Sequence, residues 1–234
     1  MKQFKLTIII PAYNEIDTIQ TLVDKISEIK IDKQIIIVDD CSSDGTNDVI
    51  FKNKDKIDKI IVHKENKGKG GAIKSAQKYI EGKYTIIQDA DLEYDPKDYL
   101  QMINFTEKNE LKVLYGSRVL EHNNREKVQN FSHKYRILAN YILTKINNFV
   151  NNQELTDAHT CYKLFDSNLF KSIKLCENGF AFCPEVTTKI SNLKINIAEI
   201  PISYKGRTYD EGKKITYIDG IEAIFALIKY KFLK

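Results

Sequence analysis

The stretch YTIIQDADLEYDP, residues 84–96, decides how the rest of the chain is interpreted. An apolar run of strand length stops abruptly at Asp89 and Asp91, and Glu93 follows two residues later. This pattern is typical of a buried parallel strand that carries acids to the C-terminal edge of a sheet, where open α/β folds bind their ligands. Carboxylates this close repel one another unless a cation lies between them, so the stretch predicts a magnesium-type site on a phosphate-bearing ligand. The alternative is a polar strand end followed by a helix, since a lone Asp-x-Asp pattern is short.

Strand and helix patterns alternate through the first half of the chain. Runs rich in Ile and Val predict strands at Leu6–Ile10, Gln34–Val38, Lys59–Val62, Tyr84–Gln88 and Lys112–Tyr115. Helical patterns fall between them, at Glu15–Ile29, Asp44–Lys54, Gly70–Glu81 and Pro96–Asn109. The alternation predicts successive right-handed βαβ units, and therefore an α/β fold with a single Rossmann-like, mainly parallel sheet flanked by helices.

The second half follows a different pattern. After Arg118 a polar stretch leads into a helical pattern near His133–Val150 and then into short mixed elements. Because this half lacks a core pattern large enough to stand alone, we expect it to complete the sheet and to hold a second substrate. The last stretch, Ile215–Lys234, mixes large apolar residues with lysines. It fits an amphipathic basic helix on an anionic membrane and a terminal helix docked on the core equally well.

The composition excludes several classes of protein. The 234 residues carry 36 Lys and Arg against 32 Asp and Glu, a formal charge of +4, which is too mild and too evenly spread to predict nucleic acid as a partner. The four cysteines lack the spacing of a zinc site or a disulfide framework, so we expect a reducing, cytoplasmic environment. The apolar start is too short for a secretory signal and no apolar run reaches the roughly 18 residues of a membrane span, so we expect a soluble or peripheral protein.

Polar residues follow three of the five predicted strands. The strand ends read PAYNE at residues 11–15, DDCSSDGT at residues 39–46, and DAD at residues 89–91. In a parallel sheet these ends lie on one edge, where Asp40 can accept the N–H of a pyrimidine or purine ring. Asp44 is better explained as part of a plain helix entry.

The glycine-rich stretch NKGKGGA, residues 66–72, follows the third strand and opens a helix, so its N–H groups can face a phosphate. It matches neither GxxxxGK[ST] nor GxGxxG, and a dinucleotide or Walker interpretation is therefore weak. Lys67 and Lys69 fit a phosphate contact and a solvated surface charge equally well.

Taken in order, PAYNE, VDDCSSDGT, NKGKGGA, QDADLEYDP and GSR resemble the catalytic domain of glycosyltransferase family 2, which has the GT-A fold. The most similar subgroup is the polyprenyl- or dolichyl-phosphate sugar transferases, and the resemblance covers most of residues 4–213. It implies a catalytic domain over residues 1–213, with a nucleotide-sugar half at 1–118 and an acceptor half at 119–213. An amphipathic helix would follow at 214–234.

The resemblance also implies roles for individual residues. The nucleoside of the donor would be held by Pro11, Tyr13, Glu15, Val38 and Asp40. The ribose, the diphosphate and a Mg²⁺ or Mn²⁺ ion would be met by Asp89, Ala90 and Asp91. Asp91 would be the main metal ligand, and Glu93 would assist it.

Two downstream segments indicate which class of acceptor substrate the resemblance implies. TDAHTCYK, residues 156–163, resembles the family's TDxxSGFR segment, with Cys161 in place of glycine. RTYDEGK, residues 207–213, resembles the RxYxESK motif of dolichol-phosphate mannose synthases, which implies that Arg207 and Lys213 contact the donor diphosphate. The region around Ser132–Asn140 departs from that subgroup's pattern, and the candidates for the cation that receives the acceptor phosphate are Arg118, Lys134 and Arg136.

The predicted reaction is inverting transfer of mannose or glucose from GDP-mannose or UDP-glucose to a polyprenyl phosphate, on the cytoplasmic face of a membrane. Asp91, Arg118 and Asp157 are its predicted catalytic residues. A phosphate acceptor needs no base, whereas a sugar hydroxyl does, and Asp157 would then serve. One alternative is a family 2 enzyme that builds a surface polysaccharide or glycan. Another is a non-catalytic nucleotide-sugar-binding protein, and a homodimer is also left open.

Overall fold

The structure is a computed structural model that describes residues 4–120, 131–206 and 217–233. Its centre is one mixed sheet of seven strands in the order β3-β2-β1-β4-β6-β5-β7. The strands are β1 Leu6–Ala12, β2 Lys33–Asp39, β3 Lys59–Val62, β4 Tyr84–Ile87, β5 Val113–Ser117, β6 Lys163–Asp166 and β7 Ala198–Pro201. The continuous apolar runs of β1, β2 and β4 are buried, as expected for strands covered on both faces.

Eight helices connect and cover these strands in the described part of the chain. They are α1 Ile19–Glu28, α2 Thr46–Lys52, α3 Gly68–Gln77, α4 Asp98–Lys108, α5 Phe131–Asn151, α6 Ser167–Ser172, α7 Phe182–Asn192 and α8 Tyr217–Phe232. A short 3₁₀ turn at Lys54–Lys56 follows α2. The predicted α/β fold, its five strands and the helices between them are confirmed, and only element ends differ by a few residues. The first helix begins at Ile19 because a turn over Glu15–Thr18 precedes it.

The second half of the chain completes the sheet, as the sequence predicted. Strand β6 inserts between β4 and β5 and runs antiparallel to both, whereas β7 lies parallel to β5 at the sheet edge. Because β6 runs in the opposite direction, it begins where β4 and β5 end. This reversal carries residues 156–162, which precede β6, to the C-terminal edge of the parallel strands.

The C-terminal helix α8 packs against α7 and α5. It buries Ala223, Ala226 and Leu227 there, so this helix docks on the core, which is one of the two alternatives that the sequence leaves open. Its other side stays open, with Phe225 68% exposed. Within the described ranges, none of the helices has the length and apolar character required to traverse a bilayer.

Candidate active site

The predicted site residues gather along the C-terminal edge of the sheet. Asp40 directly follows β2, Asp89 comes two residues after β4, and Arg118 directly follows β5. Asp157 reaches the same edge on the segment that precedes the antiparallel β6. The structure therefore brings together acids and cations that are separated by up to about half the sequence.

Asp89 forms an ion pair with Lys69, whose Nζ lies 2.5 Å from its Oδ1. Burial alone would raise the pKa of Asp89, but the Lys69 ammonium and, further away, Arg118 lower it. The pKa of Lys69 is correspondingly held well above its usual value by Asp89, against the effect of burial. Lys69 is thus a component of the site rather than a solvated surface charge, and its Nζ also lies 3.3 Å from the sulfur of Cys161.

Arg118 and Asp157 form a second, bidentate ion pair. Arg118 Nε donates to Asp157 Oδ2 at 2.6 Å and Nη2 donates to Oδ1 at 2.8 Å. The Arg118 main-chain N–H and the Asn140 amide donate to the same carboxylate, at 3.2 and 3.1 Å. Asp157 is fully buried; burial would raise its pKa, but Arg118 holds the pKa well below the usual range. The carboxylate therefore stays ionised and holds the guanidinium in place.

The segment that carries Asp157 is itself held by two charged side chains. Glu199, on β7, accepts hydrogen bonds from the main-chain N–H groups of Thr156 and Asp157, at 2.6 and 3.0 Å. Lys163, fully buried at the start of β6, donates to the carbonyls of Ala158 and Thr160. Burial lowers the pKa of Lys163. Both ends of the turn before β6 are therefore fixed by hydrogen bonds.

His159 lies in the same turn, beside the predicted motif. Burial, together with Lys163, lowers its pKa to about 4, so the imidazole is neutral near pH 7. Its Nε2 is buried without a hydrogen-bond partner in the described residues. The imidazole is therefore a neutral ring whose Nε2 faces the protein interior.

The Asp91 side of the site carries oxygen ligands of the kind that Mg²⁺ and Mn²⁺ accept. Asp91 is partly exposed and its Oδ1 accepts the main-chain N–H of Glu93 at 3.1 Å. Glu93 is nearly buried, and its Oε2 accepts the hydroxyl of Tyr204 at 2.7 Å. No group of three or more His, Cys, Asp or Glu side chains is arranged as a metal cage within residues 4–120, 131–206 and 217–233. Magnesium commonly uses only one or two protein carboxylates plus substrate phosphates, and an Asp91-centred set fits that chemistry.

The residues predicted to hold the nucleoside differ in accessibility. Tyr13 is 37% exposed, and Pro11 is partly exposed at the end of β1. Val38 and Ala90 are 0% and 4% exposed, so a ligand can meet little more than their main chains. Glu15 is nearly buried and caps the turn before α1, where its Oε2 accepts the Thr18 hydroxyl at 3.1 Å.

Asp40 is 3% exposed and bonded within the protein. It accepts the main-chain N–H groups of Lys67 and Gly68, at 2.8 and 2.7 Å, at the start of α3. His63 Nδ1 lies 2.6 Å from Asp40 Oδ1. The carboxylate thus ties the glycine-rich loop to the sheet edge, a role that sequence reasoning did not assign.

The glycine-rich loop packs against protein rather than opening to a phosphate. Gly68 has φ +76°, and a Cβ on Gly70 would lie 2.5 Å from the carbonyl oxygen of Glu177. Gly71 N–H donates to the carbonyl of Asn178 at 2.9 Å. The loop therefore needs glycines because its main chain lies close to that of Glu177 and Asn178. This packing gives no support to the interpretation of the stretch as a phosphate-binding loop.

Several predicted residues lie beyond what the structure describes. Arg207 and Lys213 fall outside the described residues, and the side chains of Lys134 and Arg136 are also outside them. The residues that sequence reasoning missed are Lys69, His63 and Glu199. Lys69 lies within the glycine-rich stretch, where the sequence fits a phosphate contact and a surface charge equally well. His63 lies outside the motifs, and the sequence alone assigns it no role in the site. Glu199 carried no motif at all.

The chain is similar to known proteins of one family. The family model described as glycosyl transferase family 2 matches residues 7–174. The chain is 26% identical to a dolichyl-phosphate beta-glucosyltransferase of Dictyostelium discoideum, over 97% of this chain and 74% of that protein. It is 30% identical to a dolichyl-phosphate beta-glucosyltransferase of Saccharomyces cerevisiae, over 93% of this chain and 71% of that protein.

A solved structure shares the fold. Glucosyl-3-phosphoglycerate synthase from Mycobacterium tuberculosis, in complex with Mn²⁺ and UDP-glucose, superimposes with a TM-score of 0.70 at 15% identity, over 99% of this chain and 80% of that one. The predicted GT-A fold is therefore confirmed. Given the family match over most of its length, the acids at the strand ends and the shared fold, the chain belongs to glycosyltransferase family 2.

Proposed function

We propose that the protein transfers a hexose from a nucleoside diphosphate sugar to a polyprenyl or dolichyl phosphate, with inversion at the anomeric carbon. Glucose and UDP are the first sugar and nucleotide to test, because two similar relatives are named dolichyl-phosphate beta-glucosyltransferases and a protein of the same fold was solved with UDP-glucose. GDP-mannose is the second donor to test. The proposal rests on the chemistry of the sheet edge, taken with these relatives.

The observation that carries the proposal is the Arg118–Asp157 pair. Asp157 accepts two of the five guanidinium N–H groups, and the Tyr204 side chain is a further hydrogen-bond partner of Arg118, so at most two N–H groups remain for a planar or tetrahedral anion. The ring of Tyr204 lies 5.1 Å from the Arg118 guanidinium carbon and limits its movement. A cation fixed in this way suits an acceptor that is itself a phosphate.

The state of Asp157 favours this acceptor over a sugar hydroxyl. A general base works best when its pKa is near the working pH, whereas Arg118 holds the pKa of Asp157 well below its usual range. The carboxylate oxygens are also engaged by Arg118 and Asn140. A phosphate monoester has a second pKa of about 6 and is already anionic near neutrality, so it attacks without a base.

For the donor, we assign the nucleoside to the β1 and β2 ends, at Pro11, Tyr13, Glu15, Val38 and Asp40. Asp89, Ala90 and Asp91 are assigned to the ribose, diphosphate and metal region, with Glu93 as the supporting acid. A Mg²⁺ or Mn²⁺ ion bound by Asp91 would neutralise charge on the leaving nucleoside diphosphate. Lys69 balances the charge of Asp89, which leaves Asp91 as the principal metal ligand.

Contact with a membrane surface is part of the proposal, because a polyprenyl phosphate is held in one. Helices α5 and α8 pack side by side and expose large apolar residues. We call this set the α5/α8 apolar surface: Ile137, Leu138, Tyr141, Ile142, Phe149, Ile221, Phe225, Ile228, Phe232 and Leu233. The α8 members recur at helical spacing, and Lys145, Lys229 and Lys231 lie among them. An apolar face with lysines is the composition of a helix that lies on an anionic bilayer.

The proposed function is tested by incubating the protein with Mn²⁺ or Mg²⁺, a panel of UDP- and GDP-sugars, and a short polyprenyl phosphate. The measurement is release of nucleoside diphosphate and formation of the glycolipid, with and without the lipid. We expect lipid-dependent release with one donor. Release that requires a glycan hydroxyl acceptor instead, or binding of donor with no transfer to either acceptor, would contradict the proposal.

A further inference from the structure

Asp40, His63 and Ser75 form a chain of three hydrogen-bonded side chains. His63, which directly follows β3, is 8% exposed. Its Nδ1 lies 2.6 Å from Asp40 Oδ1, and its Nε2 lies 2.8 Å from the hydroxyl of Ser75 on α3. The sheet register explains the contact, since Asp39 pairs with Val62 and so places Asp40 beside His63. Asp40 is assigned to the donor nucleoside above, whereas His63 and Ser75 have no role in the sugar-transfer chemistry described there.

The partners determine which nitrogen of His63 carries a hydrogen. An ionised carboxylate only accepts hydrogen bonds, so Nδ1 must be the donor to Asp40. Ser75 can then donate its hydroxyl to Nε2, or accept from Nε2 while donating to the Gly71 carbonyl at 3.1 Å. Nδ1 carries the hydrogen in both arrangements. His63 is therefore a fixed donor to Asp40, with its ring plane set by Ser75.

The hydrogen bonds that the protein makes to Asp40 determine how many acceptor positions of its carboxylate remain for a ligand. A carboxylate has about four acceptor positions. In the described part of the chain, Oδ1 takes His63 Nδ1 and the Lys67 N–H, and Oδ2 takes the Gly68 N–H. Three of the four positions are thus used by the protein. The one that remains is on Oδ2, at the sheet edge where the nucleoside is assigned.

We propose that His63 is a positioning residue of the donor site, which fixes the Asp40 carboxylate so that Oδ2 presents a single acceptor to an N–H group of the nucleobase. The inference rests on the proposed function, in which Asp40 meets the nucleoside. A base with a ring N–H, such as uracil at N3 or guanine at N1, has the group that such an acceptor selects. Cytosine, whose ring N3 is an acceptor, lacks this ring N–H and can offer only its exocyclic amino group. His63 acts on donor binding and not on the transfer step.

The test compares nucleotide binding by calorimetry with the full-length protein. The probes are UDP and 3-methyl-UDP, which lacks the N3 hydrogen, and GDP and 1-methyl-GDP as the guanine pair. For the wild-type protein we expect methylation to weaken binding about tenfold, the worth of one hydrogen bond to a charged group. In His63→Ala the unmethylated nucleotide should bind about tenfold more weakly, and the penalty for methylation should shrink. His63→Asn, whose side-chain N–H takes the place of Nδ1, should recover most of the binding.

Kinetics give a second measurement and a matched control. With a donor sugar, His63→Ala should raise KM while kcat changes less than about twofold. Ser27→Ala on α1 is the control for Ser75→Ala, because Ser27 makes the same hydrogen bond to the carbonyl four residues earlier, at 2.7 Å from Val23 O. Ser75→Ala should weaken nucleotide binding and Ser27→Ala should not.

If the wild-type protein binds nucleotide but the His63 variants keep both its affinity and its methylation penalty, the inference is wrong while the proposed function stands. If the wild-type protein binds none of these nucleotides, both are wrong.

Discussion

Arg118 and Asp157 form a bidentate ion pair, at 2.6 and 2.8 Å, between the end of β5 and the segment that precedes β6. The pair joins two parts of the chain that only the antiparallel insertion of β6 brings together. It also bears on the role of Asp157 in the proposed reaction. A carboxylate engaged in this way is a poor proton acceptor, which favours the proposed role of holding a cation for an anionic acceptor.

Asp157→Asn should therefore reduce transfer to a polyprenyl phosphate. The amide cannot hold the guanidinium in the same bidentate geometry, and misplacement of a substrate-binding group by about 1 Å can cost about 10²-fold in rate. The measurement is kcat/KM with the lipid acceptor. A full rate with the lipid, together with loss of any transfer to a sugar hydroxyl, would restore Asp157 as a base.

The same pair predicts how stability depends on pH. The pKa of Asp157 is lowered in the folded state, so its contribution is present above the ordinary Asp pKa of about 3.9 and is lost as the pH falls toward the folded pKa. Asp157→Asn should lower the free energy of unfolding at pH 7 by about 3 kcal/mol, because Arg118 loses its partner. Below pH 4 the difference between the wild-type protein and the variant should shrink. Urea unfolding at pH 7, 5 and 3 measures this, and an equal difference at all three values would contradict it.

Asp91→Asn should abolish metal-dependent turnover while the fold is retained, since Asp91 is partly exposed at the sheet edge. A metal supplies several kcal/mol of charge stabilisation, so we expect a loss of about 10³-fold or more. Binding of Mn²⁺ in the presence of UDP, followed by electron paramagnetic resonance, gives a readout that is independent of activity. Asp95→Asn is the matched control, because Asp95 is also partly exposed in this loop and the one hydrogen bond described for its carboxylate is from the nearby Lys97 main-chain N–H. Unchanged turnover in Asp91→Asn would refute the metal assignment.

Lys69→Met should move the acid limb of the pH–rate profile to higher pH. Lys69 is the main group that lowers the pKa of Asp89 against the effect of burial. Without the ammonium, burial raises that pKa, and Asp89 becomes protonated at a pH where the wild-type residue is ionised. The measurement is kcat/KM for the donor between pH 5 and 8, with Lys69→Arg as the variant that keeps the charge. Coincident profiles for the wild-type protein and Lys69→Met would show that the pair does not set this ionisation.

Replacing residues of the α5/α8 apolar surface should weaken binding to anionic vesicles. Phe149 and Phe225 are 91% and 68% exposed, so Phe149→Ser and Phe225→Ser should leave thermal stability nearly unchanged. A buried aromatic side chain contributes about 2 kcal/mol of transfer free energy, so each change should lower the partition coefficient at least tenfold. Phe51→Ser is the control, because Phe51 is 49% exposed on α2, which packs on α1 and β2. Equal vesicle binding by all three variants and the wild-type protein would show that this surface does not meet the membrane.

Much of the site could be predicted from the sequence because its signal is local. The buried runs of β2 and β4 end at Asp40 and at the Asp89–Asp91 acids, and parallel strands place such ends on one edge. The alternation of strands and helices predicted the α/β fold for the same reason. Element ends were less well predicted because turns such as Glu15–Thr18 depend on hydrogen bonds that periodicity does not encode.

The sequence by itself determined the order of the elements, the burial of the central strands and the acids at their ends, since these follow from side-chain periodicity along a short stretch. Only the tertiary structure decided the partners of those acids. Lys69 pairs with Asp89, His63 with Asp40, and Arg118 with Asp157. Each pair spans 20 or more residues, and the energy of a buried charge depends on which opposite charge the fold brings within hydrogen-bond distance of it.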